Sequence, residues 1–172
     1  MSLPESILNF LDESPVSLVA ASGGPRSIAE IKSFYDEEIA PQVNNKKYGQ
    51  LCYAGLLMAQ DYIWEAHEIV QDYSDTESSW WHAFMHRMEG DYGNAAYWYR
   101  RVGEPVGYED LQARVNELEL PTELSVIQEG SWDSFELNGF IQKYRKSLEA
   151  ELKEIHRTEW SVLYEACYKK AL

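Results

Sequence analysis

The sequence predicts an all-α fold, a single-domain irregular helical bundle built around a tetratricopeptide-like helical hairpin. Three observations lead there. Apolar residues recur at helical spacing through most of the chain, capping and stopping residues fall where that spacing begins and ends, and runs of alternating β-branched residues are absent. The 172 residues amount to one domain, residues 1–172, long enough to bury about 70% of its unfolded surface without disulfides or metal.

Ser2 to Leu11 reads as a short amphipathic helix, and Asp12 to Arg26, rich in Ser, Pro and Gly, as a loop. Ser27 with Glu30 forms a capping box ahead of Ile28, Ile31, Phe34 and Tyr35, and Pro41 ends that helix. Lys46 to Gln60 follows, with small Ala54 and Gly55 permitting close helix packing. Asp61 is expected to cap a helix from Tyr62 to Gln71, with Asp61, Glu65, Glu68 and Asp72 as a carboxylate stripe on its outer side. Ser78 to Glu89 and the helix opened by Asp91 form the central hairpin (78–103), turning at Gly90 and stopping at Gly103. Tyr108 to Leu118 is a short helix and Pro121 to Gly130 a loop. Ser131 is expected to cap a long helix running unbroken to His156, after which Thr158 opens a last one.

Charge excludes more than it assigns. There are 29 Asp and Glu against 15 Lys and Arg, a net −14, of which Asp61 to Glu77 holds six acids and no Lys or Arg. Such a surface repels phosphate backbones and anionic lipid, so neither nucleic acid nor membrane is an expected partner. The strongest apolar stretch, Leu51 to Ala59, is far short of the ~20 residues a membrane span needs. The first residues form no secretion signal, and Cys52 and Cys167 have no CxxC spacing, so reduced thiols in a cytoplasm are the expectation. No phosphate-binding or nucleophile-elbow motif is present.

The hairpin is the unusual segment. Gly90-Asp91-Tyr92 followed by Ala95 and Tyr99 resembles the turn and second helix of a tetratricopeptide repeat, without a regular 34-residue period. A longer match joins Trp81, His82, Met85, His86, Arg87, Glu89, Asp91, Asn94, Ala95, Tyr97, Trp98, Arg100, Arg101, Val102 and Gly103. Together with Glu65-Ala66-His67, Trp132-Asp133 and Glu159-Trp160, these residues resemble the signature of a family of uncharacterised bacterial helical proteins. That resemblance implies the fold and supplies no activity.

His82 and His86 stand at i, i+4, the spacing at which two imidazoles reach one metal ion, and Glu89 follows one turn on. With His67 returned alongside by a short connection, the three form a candidate divalent-metal site, with Asp61, Glu65 and above all Glu68 as oxygen ligands. The plain alternative is hydrogen bonding in a polar layer between helices. Asn94, Tyr97, Arg100 and Arg101 form a second candidate set, for a small anion, because Arg forks suit carboxylate and phosphate; pairing of Arg87 with Asp91 is the structural alternative for the arginines. The cysteines read as packing residues, and no catalytic residue is assigned. Two classes result. One is an acidic interaction protein that docks a protein partner or itself, favoured by the acid excess and the repeat likeness. The other is a small metal-binding protein or metal-dependent enzyme using His67, His82 and His86.

Overall fold

Helix signals in the sequence become helices in space, and a computed structural model describes residues 3–105 and 107–172. Among these the chain is all-helical, with no strand. The helices are α1 (Glu5–Asp12), α2 (Ile28–Phe34), α3 (Lys46–Ala59), α4 (Ile63–Val70), α5 (Thr76–Glu89), α6 (Tyr92–Val102), α7 (Gly107–Val115), α8 (Ser134–Tyr144) and α9 (Glu149–Ala171), with a 3₁₀ segment at Thr122–Gln128. Ser2, expected to open the first helix, lies outside the described residues.

The centre is α5. Every residue from Glu77 to Met88 is buried, so the helix has no solvent face. Helices α3, α4, α6 and α9 all pack against it. Asp75 caps it, accepting from the Ser78 N–H, and Gly90 closes it at φ 80°, a left-handed turn that suits glycine. Asp91 then caps α6 by accepting from the Asn94 N–H at 3.0 Å, which completes the expected hairpin. On the other side, α3 meets α9 at Gly55. A Cβ there would fall 2.9 Å from Trp81 Cζ2 and 2.9 Å from Tyr164 Cδ2, and the Trp160 indole donates to the Gly55 carbonyl at 3.0 Å.

Four expectations are corrected. Residues 131–156 are not one helix. Asp133, not Ser131, caps α8, and the chain turns at Arg145–Leu148 before α9. No Gly or Pro marks that elbow; α8 lies on α6 while α9 runs along α3 and α7, and one straight rod cannot serve both. Thr158 does not start a helix, since its hydroxyl donates to the Glu154 carbonyl inside α9. The α2 helix does not end at Pro41 directly but passes through a π-turn at Tyr35–Ile39. Asp61 caps nothing. It sits at φ 62°, buried, and its carboxylate accepts from the Ser17 hydroxyl at 2.8 Å and the Ala21 N–H at 3.3 Å, clasping the 13–26 loop to the α3–α4 turn.

Candidate functional site

Two helices bring three histidines together. His82 and His86 stand one turn apart on α5, and His67 arrives from α4. Ring centroids are 5.3 Å apart for His67–His82, 5.9 Å for His67–His86 and 6.2 Å for His82–His86. Two imidazoles on one zinc ion, at N–Zn of about 2.0–2.1 Å, place their centroids roughly 5–5.5 Å apart. The trio is therefore slightly wider than a closed site.

Hydrogen bonds set the tautomers. His82 Nδ1 lies 3.2 Å from the Ser78 carbonyl, which only accepts, so Nδ1 carries the proton and Nε2 keeps its lone pair. His86 Nδ1 lies 2.6 Å from the Glu89 carboxylate and donates to it. The Asn94 amide nitrogen, 3.2 Å from His86 Nε2, can then donate only there. Backbone or carboxylate on Nδ1 with Nε2 presented is how metal-binding histidines are commonly held. The His67 ring makes no hydrogen bond among the described residues. Burial pushes the His82 pKa down to about 4, helped by the nearby Arg101 charge, so its ring is neutral near pH 7.

Aromatic rings cover this seam. Trp98 of α6 stacks on His82 with centroids 4.0 Å apart and planes 9° from parallel. Tyr97 meets Trp98 edge-on at 5.5 Å, and the Arg101 guanidinium stands 5.3 Å from the Trp98 ring centre. Trp64, one turn before His67 on α4, is 71% exposed. It lines a cleft of about 530 Å³ together with residues 19–22, Asp61–Glu65, Met88 and Glu89.

The candidate sets thus divide. His67, His82 and His86 come together, and Asn94, Tyr97 and Arg101 join them. Glu68 is exposed on α4, and its carboxylate makes no hydrogen bond or ion pair among the described residues. Glu89 is the carboxylate that reaches a histidine. Arg100 stands apart, over the Phe135 ring at 5.6 Å. Asp61 is committed to Ser17 and Ala21. Among the described residues no three His, Cys, Asp or Glu side chains surround an ion position as they are placed.

Arg87 does not reach Asp91. It is fully buried and pairs with Glu159 of α9, while its other nitrogen donates to Tyr99 Oη at 2.6 Å and it lies 2.8 Å from His156 Nδ1. The Trp80 indole and the Tyr99 hydroxyl donate to the same carboxylate, at 2.7 Å and 3.0 Å. Burial opposes the Arg87 charge, but Glu159 outweighs burial and holds its pKa above the ordinary value. His156 is held neutral, by burial first and by Arg87 second. Sequence separation of 72 residues hid this network. The available signal was an Arg, a His and a Glu inside otherwise apolar helix faces.

No protein-family model, curated protein or solved structure matches the chain.

Proposed function

We propose that this chain is an acidic helical interaction protein and that the aromatic–histidine seam across α4, α5 and α6 is its docking face. The observation that carries the reading is Trp64. Of the six tryptophans, Trp80, Trp81, Trp132 and Trp160 are buried and Trp98 is half-covered, whereas Trp64 stands 71% exposed on α4, one turn before His67, and Tyr97 on α6 is half-exposed. An exposed tryptophan has no role in its own core, and tryptophan, tyrosine and arginine are the residues that anchor protein interfaces. Glu65 and Glu68 lie on α4, Glu89 on α5 and Asp72 just past α4, so the complementary partner carries basic side chains. The test is fluorescence anisotropy with a labelled Lys/Arg-rich peptide. Saturable binding that Trp64→Ala weakens about tenfold is expected, as for a central interface anchor. Binding untouched by that substitution overturns the reading.

A second reading rests on a separate observation, the meeting of His67, His82 and His86 with two Nδ1 protons already tied down. In it the protein holds a divalent ion on the three Nε2 atoms. His67 is the ring free to swing, and Asn94 must release His86. Titration of tag-free protein with Zn²⁺, Mn²⁺ and Fe²⁺ decides it. One equivalent bound, and lost in His82→Asn/His86→Asn, supports this reading; no binding of any of the three removes it.

A further inference from the structure

With nearly two acids per base, a cation placed without bias finds a carboxylate, yet among the described residues only seven of the fifteen Lys and Arg do. Arg26 pairs with Glu13, Lys32 with Asp36, Lys47 with Asp75, Arg87 with Glu159, Arg114 with Asp110 and Glu165, Lys169 with Glu165, and Lys170 with Glu77. Of the eight without an ion pair among the described residues, Arg145, Lys146 and Lys153 share one address. All three line a cleft of about 280 Å³ at the elbow between α8 and α9. Glu149 is the one carboxylate in its lining.

The rest of the wall is Ser17–Val19, and this stretch is held firmly. Asp61 takes the Ser17 hydroxyl and the Ala21 N–H, the Ala20 N–H donates to the Met88 carbonyl at 2.9 Å, and Arg157 reaches the Ser14 and Leu11 carbonyls at 2.7 and 2.8 Å. The N–H groups of Leu18 and Val19 on this wall make no hydrogen bond among the described residues. Leu18 and Val19 thus line the same small cleft as the three unpaired cations. An arginine fork and two ammonium groups are together donors that recognise a tetrahedral oxyanion.

We propose that this cleft binds the phosphate group of a small phosphorylated solute. It lies apart from the seam of α4–α6 and does not depend on that seam's role. The local charge is the reverse of the molecule's, so contact inside the cleft, not long-range attraction, holds the anion.

The probes are inorganic phosphate and pyrophosphate, added to ¹⁵N-labelled protein at constant ionic strength. Saturable shifts of the Leu18, Val19 and Glu149 amides are expected, with a Kd of about 1 mM or tighter. Arg145→Gln/Lys146→Gln/Lys153→Gln should weaken binding at least about tenfold while leaving the melting temperature in place, because these side chains reach solvent. Lys153→Gln alone serves if the triple variant misfolds, with a loss of about threefold. Absence of saturable shifts with both anions, or affinity unchanged by the substitutions, overturns the proposal.

Discussion

Arg87 organises the interior at the scale of a single residue. Its charge, Glu159 and the Tyr99 and Trp80 donors form one buried set, in which Arg87 Nε alone of the guanidinium nitrogens makes no hydrogen bond. Removing one member leaves a buried charge without its partner, which typically costs about 3–5 kcal/mol. Urea denaturation of Arg87→Met and Glu159→Gln should each show a loss of that order, and the double substitution should cost less than their sum. Near-additive, small losses would mean that the pair is not the unit described. His82 and His156 add a pH dependence. Both are held below the ordinary histidine value, so the unfolded chain binds more protons than the folded one as pH falls. Stability should therefore be full above about pH 6.5 and decline through that value toward pH 4, with His82 contributing roughly 2 kcal/mol. Equilibrium unfolding at stepped pH checks the sign; a stability that rises on acidification across that window contradicts the assignment.

Caps and close approaches govern the elements. Asp133 is the sole cap of α8, accepting from the Phe135 and Glu136 N–H groups at 2.7 and 3.3 Å. Asp133→Ala should cost about 1 kcal/mol, read by denaturation. Gly55→Ala should destabilise, by about 1–3 kcal/mol, although alanine is the better helix former, because the new methyl meets two aromatic rings. A stabilised Gly55→Ala variant would show that α3 and α9 are not so closely packed. These elements also show what the chain discloses before folding. The Ser27–Glu30 box, the Gly90 stop and the Asp91 cap were readable because cap and stop chemistry is local. The α8–α9 elbow was not, since Phe135 to Ile155 keeps a helical rhythm straight through it and only the placement of α3, α6 and α7 breaks the rod. Asp61 misled for a related reason. Its position suits a cap, yet two donors from a loop some 40 residues earlier capture it.

The charge and the site meet at the scale of the whole molecule. The −14 is not spread evenly. Acids gather along α4 and its flanks, and three of the unpaired cations meet at the α8–α9 elbow. Helical spacing revealed that His82 and His86 share a face, and the short return from α4 placed His67 beside them. It did not reveal that α5 is buried all round, which turns those histidines into the floor of a seam under Trp98. Nor did it separate Arg100 from Arg101, neighbours in sequence that lie over different rings on different sides of α6. The central claim is that the seam of α4–α6 is the working face. The six indole N–H signals of ¹⁵N-labelled protein report on it directly during titration with a Lys/Arg-rich peptide. The account predicts that the Trp64 and Trp98 signals move together and saturate while those of Trp80, Trp81, Trp132 and Trp160 stay still. Saturable movement at Trp132 or Trp80 with Trp64 and Trp98 fixed, or no saturable movement at any indole, would contradict it.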